Sequence, residues 1–157
     1  MDPINKEDVK QLIHEWGRLQ DDHASLSVFL SIITENGFEI RIGDCVLKGA
    51  AGLKELQGIK QPFFDESHIY NSIDVTTVSD DQAEAKSVVQ WEASVLEAQA
   101  PRSKRLKAII HHSWLIKRSS KTGKPVIAHL IVDSFQYLPG FEAGTSPTPI
   151  PHPALLK

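Results

Sequence analysis

Two histidines and a carboxylate, His112, His129 and Asp133, fall on adjacent stretches rich in Ile, Val and aromatics, residues 106–118 and 125–137. If these are antiparallel strands joined by a loop at 119–124, Arg118 lies opposite Pro125. Trp114 then lies opposite His129, His112 opposite Ile131, and Ile110 opposite Asp133. Residues that face one another point to the same side of a sheet. One face therefore collects Ile110, His112, Trp114, Ile127, His129, Ile131, Asp133 and Phe135. His112 would have His129 and Asp133 as diagonal neighbours, roughly 7–8 Å away between backbones. Such a group among Ile, Trp and Phe could move protons, because burial raises a carboxyl pKa and a neighbouring imidazole is tuned toward neutrality. In this expectation His112 is general base, Asp133 orients it or shares its proton, and His129 steadies a developing oxyanion. A slip of one residue would exchange His111 for His112.

The preceding pair of stretches, 67–78 and 84–96, reads the same way. With a loop at 79–82, Tyr70 lies opposite Trp91, His68 opposite Ala93 and Ser72 opposite Val89. His68, Tyr70 and Trp91 then share a face. His68 is the other candidate base, and the neutral phenol of Tyr70 could donate to an oxyanion. Tyr70 and Trp91 are equally good cross-strand packing partners. Trp16, Trp91, Trp114 and Phe135 are the aromatic wall expected around a ligand. Trp16 also fits a plain core position. Asp21-Asp22-His23 reads as a helix end with solvated charges. Cys45 has no evident base beside it. The basic run Arg102, Ser103, Lys104, Arg105 and Lys107 reads as a solvated edge. Histidine and carboxylate are common metal ligands, but no spacing here matches a strong metal motif. Proton transfer needs only pre-placed acids, bases and dipoles, so neither a metal nor a cofactor is expected.

The elements that must position these residues follow from periodicity. Val9, Leu12, Ile13, Trp16 and Leu19 recur at helical spacing and predict a helix over 4–21, with Asn5 as its cap signal. Leu26, Phe29, Leu30 and Ile33 predict a short second helix, ended by Asn36-Gly37. Residues 38–42 alternate as a strand, Gly43-Asp44 is a hairpin turn, and Cys45-Val46-Leu47 returns. Gly49 opens a third helix with Leu53 and Leu56 on one side, closed by Pro62. Four long strands complete an antiparallel meander. Helices first and then a sheet make the class α+β.

Composition bounds the rest. At 157 residues the chain is one domain's worth, 41% hydrophobic and 24% charged, as ordinary folded globular proteins are. Its 17 Lys+Arg against 20 Asp+Glu give a net charge of −3, which argues against nucleic acid as the partner. A single cysteine excludes an intrachain disulfide. No apolar run approaches the ~20 residues of a membrane span. Met1-Asp2-Pro3 opens no basic-then-apolar leader, so a cytoplasmic protein is expected.

The layout resembles the NTF2-like superfamily, the α+β cone of SnoaL-like polyketide cyclases, scytalone dehydratase and ketosteroid isomerase. The carriers are the segment Leu19 to Phe38, the Lys48-Gly49 step, His68-Ile69-Tyr70-Asn71 and Asp80-Asp81-Gln82-Ala83. His112-Ser113-Trp114 with Arg118, then Gly123 and a final strand, complete them. The resemblance covers roughly residues 5–138 and implies a curved, mainly antiparallel sheet around the helices with a deep apolar pocket. It implies isomerisation, dehydration or cyclisation of a small apolar carbonyl or hydroxyl compound, or else non-catalytic binding of a small ligand or protein. His68 fits the family's strand histidine. Many members carry an acidic residue three positions before the acidic residue that ends the first helix. Here Asp22 matches the second position and Leu19 stands at the first, so the usual acid is expected to be missing.

Two further expectations concern surfaces. Residues 106–118 and 125–137 are apolar on both alternating sets, and strands apolar on both sides are usually covered on both. A homodimer through the outer sheet face is the simplest cover. Residues 139–157, with Pro139, Pro147, Pro149, Pro151 and Pro153, form a Pro-rich tail that favours extended chain and could run along that interface.

Overall fold

The computed structural model describes residues 3–97 and 102–142. Three helices and six strands follow in the order α1 (Lys6–Asp21), α2 (Leu26–Phe29), β1 (Glu39–Ile42), β2 (Cys45–Lys48), α3 (Gly49–Lys60), β3 (Phe64–Ser79), β4 (Gln82–Leu96), β5 (Ser103–Arg118) and β6 (Pro125–Tyr137). One sheet runs β2-β1-β6-β5-β4-β3. All its neighbours are antiparallel except β1 and β6, which run parallel. The α+β cone is thus the observed architecture, with the short hairpin added to the far edge of the meander.

The local causes are those of the sequence. Asn5 Oδ1 accepts from the Glu7 N–H at 2.7 Å, satisfying one orphan donor at the start of α1. The stripe Val9, Leu12, Ile13, Trp16, Leu19 is buried. Trp16 meets Phe29 and Trp114 edge-on, with ring centroids 5.4 and 6.3 Å apart, a favoured aromatic geometry. Gly17 faces β3. A Cβ there would come within 2.9 Å of the Tyr70 ring and 3.0 Å of His68 Cβ. Glycine therefore lets the helix lie close on the strand that carries His68, which offsets its helix cost of about 1 kcal/mol.

The sheet bends at bulges, and these overturn part of the expected register. Next to the β5–β6 turn Arg118 does pair with Pro125 and Ile116 with Ile127. Then Ala128 is passed over, and Leu115 pairs with His129, Trp114 with Leu130 and His112 with Val132. Asp133 is passed over next, and His111 pairs with Ser134 and Ile110 with Phe135. Each extra residue exchanges the two faces of the bulged strand. Between the bulges the sides are opposite to expectation; beyond the second they are restored. Leu130 and Val132 turn inward, while His129, Ile131 and Asp133 turn outward, and Ile127 and Phe135 keep their inner side. β3–β4 also shifts, at Thr77/Ser79 and at Tyr70/Ser72, so that His68 pairs with Trp91 and Tyr70 with Val89. Two shifts cancel in side, and His68, Tyr70 and Trp91 share one face as expected.

On the outer face the bulges leave a mixed surface. Ser113 donates to Asp133 at 2.5 Å and accepts from Lys86 at 3.0 Å. Val88, Ile109, Leu115 and Ile131 lie half-buried among these polar groups. Of the tail, Leu138 N–H donates to the Lys107 carbonyl at 2.9 Å, and Lys107 Nζ lies 4.6 Å from the Phe141 ring centre. The expected course of the tail beyond Glu142 lies outside the described residues. No helix is long and apolar enough to cross a membrane among them.

Candidate functional site

Between the helices and the inner face of the sheet lies a cavity of about 90 Å³. Its wall is mainly apolar, including Ile40, Leu56, Phe63, Ile110, Val132 and Phe135, with Trp16 and Trp91 among the aromatics. Gln20, Lys60, His68 and His112 also line it, with the phenol of Tyr137.

His68 is held from below by the end of α1. Its Nδ1–H donates to Asp21 Oδ1 at 2.5 Å, and its backbone N–H donates to Asp21 Oδ2 at 3.1 Å. A carboxylate only accepts, so this contact puts the ring proton on Nδ1 and leaves Nε2 with a lone pair. The side chain is 7% exposed. Burial lowers the His68 pKa, and the bond to Asp21 opposes without cancelling it. The imidazole is neutral at pH 7, as a general base must be.

His112 stands nearby, 7% exposed, its ring edge-on to Trp114 with centroids 5.6 Å apart. Burial first, then the fields of His68, Lys60 and His111, push its pKa down to about 3. Its Nδ1 is buried without a hydrogen-bond partner, and so is Gln20 Nε2.

Lys60, at the end of α3, is fixed by Glu66 on β3. The Nζ to Oε1 distance is 2.8 Å. Trp91 Nε1–H donates to the same oxygen at 3.0 Å, and His23 Nε2–H donates to Oε2 at 2.5 Å. Burial alone would raise the Glu66 pKa, but the Lys60 charge and the donated hydrogen bonds pull it below the usual carboxylate range. Glu66 therefore stays ionised, and Lys60 is held where it borders the cavity.

The structure brings together His68, His112, Trp91, Trp16 and Phe135 around one space. It does not bring His129 or Asp133 there. Both turn outward: His129 lies between the two β6 bulges, and Asp133 is the extra residue of the second. His129 Nε2 lies 3.6 Å from Glu39 Oε1, and Asp133 accepts from Ser113. The expected triad of His112, His129 and Asp133 is thus split by one extra residue in β6. Trp114 is buried in the adjoining core, where its Nε1–H donates to Ser87 Oγ at 2.9 Å. Tyr70 packs beside the cavity, stacked on His68 at 6.5 Å and edge-on to His14 at 5.2 Å. Its hydroxyl is buried without a partner, and burial followed by the Asp21 charge raises its pKa, so it stays a neutral phenol.

Asp21, Gln20, Lys60 and Glu66 were not among the expected site residues. Asp21 is not a solvated charge: its carboxylate accepts from the backbone N–H and the ring Nδ1–H of His68. A signal did exist. Gln20 and Asp21 continue the α1 stripe one turn beyond Trp16 and Gly17, and Lys60 continues the α3 stripe one turn beyond Leu56. A polar residue where an apolar stripe should continue marks a side chain aimed at the interior. Glu66 alternates with His68, so it shares its face. Among the described residues no group of three or more His, Cys, Asp or Glu is arranged to hold a metal ion.

No protein-family model matches the chain, and no curated protein matches it in sequence. Solved structures do match its fold. One is a hexachlorocyclohexane dehydrochlorinase, LinA-type3, from Novosphingobium barchaimii LL02. It is 17% identical with a TM-score of 0.65, covering 88% of this chain and 93% of that one. A provisionally named scytalone dehydratase from Novosphingobium aromaticivorans is 12% identical with a TM-score of 0.65, covering 89% of each chain. An NTF2-like superfamily protein from Salmonella enterica is 10% identical with a TM-score of 0.64, covering 90% of this chain and 96% of that one. The chain has the NTF2-like fold.

Proposed function

We propose that this protein catalyses proton abstraction from a small, largely apolar molecule, in an elimination, isomerisation or cyclisation. The observation that carries the reading is the Asp21–His68 pair at the cavity wall. Its geometry engages Nδ1 and leaves Nε2 as a neutral base inside an apolar space. His68 Nε2 would take a proton from carbon, and Asp21 would stabilise the imidazolium that forms. Lys60, Gln20 or His112 would face the oxygen or leaving group on which negative charge develops. Trp16, Trp91 and Phe135 would hold the body of the molecule, and Tyr70 would keep His68 in place. Dehydrochlorination and dehydration, the reactions named for two structural neighbours, are both eliminations, in which one carbon loses a proton and its neighbour loses chloride or water.

The test is solvent exchange. Small ketones and β-hydroxy ketones are incubated with the protein in deuterated water, and loss of the α-proton is followed by NMR. Catalysed exchange that falls at least about 100-fold in His68→Asn is expected. Exchange that persists undiminished in that variant sinks the reading.

The homodimer remains part of the proposal. Val88, Ile109, Leu115 and Ile131 are the apolar residues the outer sheet face offers a second copy. Light scattering at micromolar concentration should give twice the 17.4 kDa chain mass; a monomer mass removes the dimer.

A further inference from the structure

Gly17 lies on α1 one turn before Asp21 and on the same side, since residues four apart stack along one helix face. Its backbone is ordinary buried helix and has no positive φ, so its dihedrals do not call for glycine. Local propensity favours alanine at such an interior position. What excludes a side chain is β3. A Cβ on Gly17 would stand 2.9 Å from Tyr70 Cε2, 3.0 Å from His68 Cβ and 3.2 Å from the Tyr70 hydroxyl. Carbon atoms in good contact stand about 3.5–4.0 Å apart. Gly58, inside α3, is the contrast: a Cβ there meets nothing within 4 Å. Neither neighbour of Gly17 can step aside. The Tyr70 ring is stacked on His68 and edge-on to His14, and its hydroxyl is buried. His68 Cβ is fixed to the strand, and its ring is tied to Asp21. Any side chain at position 17 therefore drives α1 off β3.

We infer that Gly17 is a positioning residue for the Asp21–His68 pair: its bare Cα lets α1 settle on β3 at the separation where Asp21 reaches both N–H groups of His68. The catalytic consequence rests on the proposed proton abstraction; the geometry does not. Asp21 is about 6 Å along the helix axis from Gly17, so a displacement at one is felt at the other. Restoring ordinary contact takes about half an ångström. The bond from the His68 backbone N–H, 3.1 Å long, then passes hydrogen-bond length. Without it the carboxylate is free to turn, and the Nδ1–H bond that fixes the ring tautomer loses its support. Tyr70 gains a role in the same step. Its ring fills the notch at Gly17, so it sets the spacing of helix and strand.

The experiment reads the pair directly. The full chain is labelled with 15N-histidine, and the His68 Nδ1–H signal and its exchange with water are followed by NMR. Gly17→Ala should abolish that signal or speed its exchange at least about tenfold, while Gly58→Ala leaves it as it is. In the α-proton exchange assay Gly17→Ala should lower kcat at least about tenfold with little change in KM. Adding Tyr70→Leu to Gly17→Ala removes the ring from the notch and should bring the Nδ1–H signal back. A folded Gly17→Ala protein with an unchanged signal overturns the inference, and so does a loss that Tyr70→Leu fails to relieve. If Gly17→Ala alone does not fold, the double variant is compared with Tyr70→Leu alone. Equal signals there support the steric cause, and a signal lost only with the alanine overturns it. A signal that follows Gly17 in a protein without catalysed α-proton exchange breaks the base at His68 and leaves the positioning role standing.

Discussion

Two histidine–carboxylate pairs, one on each face of the same sheet, use the same residue types to different ends. On the inner face His68 and Asp21 meet at 2.5 Å, with the imidazole 7% exposed. On the outer face His129 and Glu39 stand 3.6 Å apart, with the imidazole 33% exposed. Glu39 also accepts from Arg41 Nε at 2.7 Å, and that bond is the main reason its pKa lies low. The outer pair is a loose contact in water, where such contacts contribute about 0–1 kcal/mol. The inner pair is a fixed tautomer beside an apolar space. Environment rather than residue identity sets a buried, fixed imidazole apart from a part-exposed one.

The largest effect that separates the pairs is catalytic. His68→Asn should lower turnover at least about 100-fold in the exchange assay, while His129→Asn leaves it within about twofold. Equal losses would erase the distinction. Next comes the carboxylate: Asp21→Asn keeps the shape but no longer favours the Nδ1–H tautomer or stabilises imidazolium. A loss of about tenfold or more in kcat, with little change in KM, is expected. Glu39→Gln should cost nothing in the same measurement.

Acid stability sharpens the comparison further. The folded-state pKa values of His68 and His112 lie below 6.5, the latter at about 3. The unfolded chain therefore binds protons first as pH falls. Stability is complete above about 6.5 and declines below it, by up to about 1.4 kcal/mol per pH unit for each buried histidine. Urea midpoints between pH 7 and 4 should show this fall, and His112→Phe should make it shallower. The smallest effect belongs to the outer ion pair, where Glu39→Gln should shift the unfolding free energy by no more than about 0.5 kcal/mol at pH 7. A larger shift would mean that the outer face is more enclosed than it is in the isolated chain, as a dimer would make it.

The expected and observed sites overlap because some signals are local. Helical stripes, turn residues and strand alternation each depend on a few neighbouring side chains, and all the helices and strands predicted from them are present. The placement of His68, Tyr70 and Trp91 on one face survived because two shifts in β3–β4 cancel. His129 and Asp133 were misplaced because a bulge changes no residue's character. Neither Ala128 nor Asp133 is of a type that by itself marks a bulge, and only the fit of β6 between β1 and β5 makes each an extra one. Asp21 and Lys60 were legible as polar residues on apolar stripes, but what they face was not. Asp21 and His68 lie 47 residues apart in the chain.

By itself, then, the amino-acid sequence determined the α+β class, the order of the helices and strands, and the presence of His68 and His112 on strands with an apolar side. Periodicity and turn chemistry are short-range, and they act before the chain closes on itself. The tertiary structure alone decided which carboxylate meets which histidine, because that depends on where α1 ends against β3 and on how closely Gly17 lets it approach. It also decided which imidazoles are kept from water, since desolvation belongs to the packed whole and not to any segment.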